Sequence, residues 1–162
     1  MYFLGGVVVT VGGFGYFVTL AIVGAVFMAI VAVAFYVFFA FTLYRLAQKR
    51  NMEMPWLAWI PIAQMYVIGK MVKSVRISNF EIPALEIVLP VAMLAYLLFN
   101  GIPVLGLIIT LAYFALILLS LYNLYRQYVP ENAVVYTILS IFVVPVPFLF
   151  MKLAKTEPVN IQ

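Results

Sequence analysis

Three chemically reactive residue types are missing from this 162-residue chain, which contains no cysteine, no histidine and no aspartate. Disulfides and thiolate nucleophiles need cysteine, imidazole bases need histidine, and protein zinc sites draw chiefly on both. The sequence therefore excludes these chemistries. We predict a protein that is not an enzyme, with no catalytic residue, no bound metal and no cofactor.

Charge is also scarce, since 9% of the residues are charged and 68% are hydrophobic. Soluble domains average about a quarter charged and about half apolar. So few charged residues cannot cover a water-soluble surface, and we predict an all-α integral membrane protein, one transmembrane domain over residues 1–162. The net charge of +4 comes from Lys and Arg in short groups beside apolar runs. That pattern is typical of charges that set membrane orientation, so nucleic acid is not an expected partner.

The first apolar run carries no charge over residues 1–44. One helix of that length would reach about 66 Å, twice the ~30 Å of a bilayer's hydrocarbon core. Because glycines concentrate near its start, we expect the run to bend or break there. Residues 1–16 are then a Gly-rich lead-in and residues 17–44 the first span.

The first span carries small residues on one helix face, which suits close contact with another helix. Packing within the monomer and self-association both remain open for this face. It consists of Ala21, Gly24, Ala25 and Ala29.

Two further spans are predicted, 83–99 and 104–122, joined by the turn Asn100-Gly101-Ile102-Pro103. The first of them opens with Glu81 and Pro83 in the manner of a helix N-terminus. A short polar tail, 156–162, ends the chain.

The stretch 55-PWLAWIPIAQMYVIGKMVK-73 raises the question of whether it crosses a membrane or enters and returns. If this segment and the later run 133–150 both cross, the nine basic residues divide five against four across the membrane. If neither crosses, all nine fall on one side, which the positive-inside rule prefers. Residues 56–69 would also reach only ~21 Å as a helix, and Pro61 weakens that helix. We therefore predict two short, Pro-broken, re-entrant or interfacial segments; whether 133–150 spans or returns stays open.

An internal repeat is one interpretation of the chain. Residues 42–46 resemble residues 120–124 at an offset of 78, and the K-x-x-K at 70–73 recurs at 152–155. A parallel repeat follows, with unit 1 at 17–82, a return span and turn at 83–103, and unit 2 at 104–155. Chance similarity between Leu- and Tyr-rich helix ends is the alternative.

The stretch 43-LYRLAQKRNMEMPWLAWIPIAQMYVIGKMVK-73 carries a basic turn before a W-L-A-W-I-P hairpin. Together with 129-VPENAVVYTILSIFVVPVPFLFMKL-153, it resembles small multi-span membrane proteins of Gram-positive bacteria. The resemblance covers about a third of the chain. It implies a bacterial cytoplasmic-membrane setting and a fold, and it transfers no functional residue. From the positive-inside rule we expect the basic loops to be cytoplasmic and the N-terminus to lie outside.

Two polar residues are candidates for intramembrane sites. Glu86 must lie near headgroup depth if 83–99 spans, and an intramembrane carboxylate is a functional-site hypothesis, such as a proton or cation site. Its alternative is a helix N-terminus paired with Lys73 or Arg76. Gln64 could line a polar cavity, or could simply bond a carbonyl that Pro61 leaves free.

Basic residues beside the two short segments could hold anionic lipid headgroups as well as set topology. These candidates are Lys70, Lys73, Arg76, Lys152 and Lys155.

Three function classes follow. The first is a non-catalytic membrane subunit or assembly module, packing with itself as a homo-oligomer or with a larger membrane complex. The second is a small oligomeric transporter, channel or holin-like pore, in which Gln64, Asn100 or Glu86 would face a wet cavity. The third is a lipid-active membrane enzyme, which would have to work with Glu, Lys, Tyr and Ser alone. We expect the first.

Overall fold

The computed structural model describes the backbone of residues 3–77 and 80–159, and the side chains of 15–75 and 81–159. Within these ranges the chain is almost entirely helical, as predicted, with one short hairpin that was not predicted. The elements are α1 (Phe3–Lys49), α2 (Pro61–Val72), β1 (Val75–Ile77), β2 (Phe80–Ile82), α3 (Leu85–Phe99), α4 (Pro103–Tyr128), α5 (Ala133–Ser140) and α6 (Val146–Lys155), with 3₁₀ turns at Pro55–Trp59 and Pro130–Asn132.

The chain divides into two compact units, Met1–Val37 and Phe38–Gln162. In the first unit the described side chains from residue 15 to residue 34 are all exposed. The second unit holds the buried core, to which all the remaining helices contribute side chains. Its largest fully buried members include Leu43, Leu46, Val67, Leu85, Leu89, Leu124, Tyr125, Phe150 and Leu153.

The expected break in the first apolar run is wrong, because α1 is one continuous helix from Phe3 to Lys49. Glycine costs about 1 kcal/mol relative to alanine inside a helix, which weakens a helix without ending it. The stronger stop signal, proline, first occurs at Pro55. The helix that contains the predicted first span also continues past residue 44, to Lys49.

Among the described residues, two helices are long and apolar enough to cross a membrane, the Gly15–Lys49 part of α1 and the whole of α4. Helix α4 continues to Tyr128, six residues beyond its predicted end. Helix α3 has 15 residues and reaches only ~22 Å at 1.5 Å per residue. The count of three spans thus stays a prediction.

The two short apolar segments are both broken at prolines. In the first, a 3₁₀ turn over Pro55–Trp59 leads into α2, which begins at Pro61. In the second, α5 ends at Ser140 and α6 starts at Val146, after an irregular stretch over residues 141–145. Proline fits the first turn of a helix, where its missing N–H costs no hydrogen bond. The break between α5 and α6 is the longer of the two, and it lies in the part of the chain where the repeat offset changes from 78 to 82.

The two halves of the predicted repeat share a burial pattern. Positions 42, 43, 46 and 47 are buried, and so are positions 120, 121, 124 and 125. The hydroxyl of Thr42 donates to the Phe39 carbonyl at 2.9 Å, and that of its counterpart Ser120 donates to the Leu116 carbonyl at 2.7 Å. Both halves bury the same face and satisfy its hydroxyl group along their own helix.

Helices α2 and α3 pack closely where Gly69 faces the start of α3. A Cβ atom placed on Gly69 would overlap the backbone of Leu85. Close by, the amide of Leu85 donates to the carbonyl of Lys73 at 3.1 Å. The hairpin β1–β2 connects these helices, with Val75 paired to Ile82 in antiparallel register.

Candidate functional site

Arg50, which follows the last residue of α1, joins three parts of the second unit. Its Nε donates to the hydroxyl of Tyr128 at 2.7 Å, and its Nη2 donates to Oε1 of Gln127 at 2.5 Å. Its Nη1 donates to the carbonyl of Met71 at 3.2 Å. The planar guanidinium offers five donors in a fixed fork, and this fork ties the ends of α1, α2 and α4 together.

The same contact brings the two ends of the first short segment together. Arg50 precedes the segment and Met71 lies in its last turn, so this hydrogen bond joins the two ends of the segment. The second segment behaves alike, because Lys152 near the end of α6 donates to the hydroxyl of Tyr136 near the start of α5. In each segment, one side-chain hydrogen bond thus joins residues near its two ends.

The polar tail lies against the same ends. Nζ of Lys49 donates to the carbonyl of Thr156 at 2.7 Å and lies 3.0 Å from Oε1 of Glu157. The amide of Val159 donates to the carbonyl of Gln127 at 2.8 Å. The Lys49–Glu157 ion pair is solvent-exposed on the glutamate side, so we expect little stability from it.

A buried hydroxyl pair links α4 to α5. Tyr125 is fully buried, and its hydroxyl lies 2.8 Å from Oγ of Ser140. Ser140 also donates to the carbonyl of Tyr136 at 2.8 Å. The rings of Tyr125 and Tyr136 meet edge to face at 5.7 Å, and Phe150 of α6 lies 6.4 Å from the Tyr125 ring. These groups satisfy one another, which is typical of a packed core.

Gln64 is buried and hydrogen-bonds a carbonyl that Pro61 leaves free, which was the alternative to lining a polar cavity. Its Nε2 donates to the carbonyl of Ala58 at 3.0 Å. In a 3₁₀ turn that carbonyl would accept from the amide three residues later, which is the position of Pro61, and proline has no N–H. The amide side chain therefore replaces a hydrogen bond that proline cannot make.

Glu86 lies half-buried in the first turn of α3, where a negative charge complements the helix dipole. The side chains that the structure describes include no ion pair between Glu86 and Lys73, and the expected pairing with Lys73 or Arg76 stays a prediction. The side chain of Arg76, its other expected partner, lies outside the described residues. No described contact marks Glu86 as a proton or cation site.

The basic candidates fall into two groups by their contacts. Lys70 lies over the ring of Tyr66 at 5.6 Å, and Lys152 lies over the ring of Tyr136 at 5.1 Å. Lys73, Lys152 and Lys155 are exposed, and Lys70 is half-buried. Lys70 and Lys152 thus have aromatic partners, and the described contacts include none for Lys73 and Lys155.

The small-residue face of α1 is open throughout. Ala21, Gly24, Ala25 and Ala29 are exposed, and a Cβ atom placed on Gly24 would meet no atom within 4 Å. The face has no packing partner among the described residues of its own unit.

Two grooves lie at the basic end of the second unit. One, of about 340 Å³, lies between the turn after α1 and the end of α2, and its lining includes Arg50, Glu53 and Lys73. The other, of about 310 Å³, lies between the end of α1 and α6, and its lining includes Arg45 and Lys155.

Sequence reasoning did not single out Arg45 or Arg50. A signal for Arg45 was present, since Phe41 and Arg45 lie one helical turn apart, as Met151 and Lys155 do. For Arg50, only the repeat offset of 78 connects it to Tyr128.

Comparison of the chain with known protein families, curated proteins and solved structures finds no match.

Proposed function

We propose that this chain is a non-catalytic integral membrane subunit, an assembly module that packs through α1 with a second copy of itself or with a larger membrane complex. The observation that carries the proposal is the length of exposed apolar helix in α1. Exposed side chains on it include Tyr16, Phe17, Leu20, Ile22, Val23 and Phe27.

The hydrocarbon core of a bilayer cannot cover the whole of this helix. The Gly15–Lys49 part has 35 residues, about 52 Å, against a hydrocarbon core of ~30 Å. Even at a tilt of about 40°, the upper end of the usual range, the bilayer covers roughly 26 residues. With Arg45 at one interface, Tyr16 and Phe17 lie beyond the other. Their exposed fractions of 76% and 75% then leave aromatic surface outside the hydrocarbon core, where a protein partner could cover it.

The small-residue face supplies a surface for that partner. Glycine and alanine let two helix backbones approach closely, and membrane helices associate through such faces. Ala21, Gly24 and Ala25 lie within the exposed part of α1, where a second copy of the helix could pack against them.

A pore or carrier, the alternative predicted from the sequence, has less support. Such a protein would present polar side chains to a wet cavity. The buried polar side chains Thr42, Gln64, Ser120 and Ser140 instead each hydrogen-bond within the chain. This inward satisfaction suits a packed module.

The proposed threading has three spans, within α1, α3 and α4, with both short hairpins entering from and returning to one side. That side carries the basic turns and faces the cytoplasm of a bacterial cell membrane, and the N-terminus lies outside. The contacts from Arg50 to Met71 and from Lys152 to Tyr136 support it, since each joins the two ends of one hairpin.

Disulfide crosslinking tests the assembly. The chain has no native cysteine, so single cysteines can be placed at Ala21 and Ala25 on the small face and at Val23 on the opposite face. We expect oxidation in native membranes to give a covalent dimer from A21C and A25C and little from V23C.

Equal dimer yields at all three positions would indicate random collision, and no dimer at any of them would remove self-association. If no dimer forms, crosslinking of A25C to a different membrane protein would still support a subunit of a larger membrane complex. Gly24→Leu is a further check, because a bulky side chain on the face should abolish the A25C dimer.

A further inference from the structure

The end of α1 and helix α6 run side by side in the same direction. The ring of Phe39 in α1 lies 5.6 Å from the ring of Phe150 in α6. Nearer the ends of both helices, Nζ of Lys49 donates to the carbonyl of Thr156. The two helices therefore end close together, and residues of both line a common groove.

The groove between them has an apolar floor and a basic rim. Phe41, Met151 and Ala154 contribute apolar surface, and Arg45 and Lys155 contribute the two charges. On each helix the apolar residue lies four positions, or one turn, before the basic residue. Phe41 and Met151 therefore lie about 6 Å farther from the helix ends than the two charges.

We propose that this groove binds the headgroup of an anionic phospholipid. The phosphodiester lies between Arg45 and Lys155, and the first acyl carbons lie on Phe41 and Met151. The inference rests on the proposed membrane location and names a binding site at the cytoplasmic end of α1.

Charge complementarity supports this occupant. No carboxylate lines the groove among the described residues, and its two cations are exposed. The guanidinium of Arg45 is held over the Phe41 ring at 5.1 Å, and arginine matches phosphate oxygens with two parallel donors. The neighbouring groove differs, because Glu53 lines it and the donors of its Arg50 are already bonded.

The apolar floor favours a lipid over free phosphate. An inorganic anion would use the two charges and leave Phe41 and Met151 exposed, at 42% and 37%. A phospholipid covers the same two side chains with its acyl carbons. Its long axis also matches the direction in which the floor lies below the rim.

Protection of a cysteine in the groove tests the proposal. Gln48 lines the groove, and Q48C would be alkylated with N-ethylmaleimide in nanodiscs of phosphatidylcholine alone or in equal mixture with phosphatidylglycerol. We expect the anionic lipid to slow alkylation about threefold, as for a site occupied two-thirds of the time. N132C, on an exposed turn outside the groove, should react equally in both.

Matched charge variants separate this site from general surface charge. R45Q/K155Q should abolish the protection of Q48C, and R126Q/K73Q, which removes the same charge outside the groove, should keep it. Loss of protection in both pairs, or no protection of Q48C by phosphatidylglycerol, would overturn the proposal. Protection by inorganic phosphate in neutral nanodiscs would equally overturn the lipid as occupant.

The outcome is distinguishable from failure of the assembly proposal. R45Q/K155Q should leave the A25C crosslink unchanged, because these residues lie five turns away along α1 or on α6. A variant that loses the crosslink as well as the protection is replaced by R45K/K155R, which keeps the charges and should retain protection in a folded chain.

Discussion

Arg50 donates from Nε to the hydroxyl of Tyr128 at 2.7 Å, and its guanidinium carbon lies 4.8 Å from the centre of the same ring. The two residues are 78 positions apart, the offset that relates residues 42–46 to 120–124. The hydrogen bond thus joins two residues that are counterparts in the predicted repeat. It also holds α1 beside α4 at the basic end of the fold.

Arg50→Lys should destabilise the protein although the charge is kept. A lysine ammonium cannot reach Tyr128, Gln127 and Met71 in one geometry as the guanidinium fork does. We expect a loss of about 2 kcal/mol, the range for hydrogen bonds to charged groups, seen as a lower melting temperature of the full chain in detergent.

Arg126→Lys is the control for that substitution. Arg126 is exposed and its guanidinium carbon lies 6.0 Å from the Tyr122 ring, so its replacement should change the melting temperature little. If the two variants melt alike, Arg50 does not have the joining role assigned to it.

Gly69→Ala should be strongly destabilising, because the new methyl group would overlap the backbone of Leu85. Separating α2 from α3 to admit it should cost about 1–3 kcal/mol. Gly24→Ala is matched in chemistry but meets open space, and should be neutral or slightly stabilising. Thermal unfolding of both variants tests the packing, and a neutral Gly69→Ala would show that the helices are farther apart than described.

The Tyr125–Ser140 pair predicts an energetic coupling. Tyr125→Phe and Ser140→Ala should each cost about 1 kcal/mol, the usual net value of one hydrogen bond. The double variant should lose less than the sum, because both substitutions remove the same bond. A double-mutant cycle by thermal unfolding measures this, and strict additivity would show that the hydroxyl groups do not interact.

The helical class and the broken short segments could be predicted because they depend on local features, namely apolar composition and Pro61, Pro145 and Pro147. The hairpin Val75–Ile82 also had a local signal, since apolar and charged residues alternate on both sides of Ser78-Asn79. That signal is weak, because each strand has only three residues.

The candidate site could be predicted only in part. The K-x-x-K groups indicated which end of the fold is basic. Which lysines have an aromatic partner depended on Tyr66 and Tyr136, the second from another helix. The groove could not be predicted, because it forms only where α1 and α6 lie side by side. Contacts between residues more than a hundred positions apart determine that arrangement.

Threading is the central claim, and single-cysteine labelling in intact and opened cells tests it most directly. Cysteines at Glu53, Lys73, Glu131 and Pro158 would be compared with one at Asn100 by reaction with a membrane-impermeant thiol reagent. We predict that the first four react only in opened cells and that N100C reacts in intact cells, since both hairpins return to the cytoplasmic side. Labelling of K73C from outside would contradict the account, because the first hairpin would then cross the membrane.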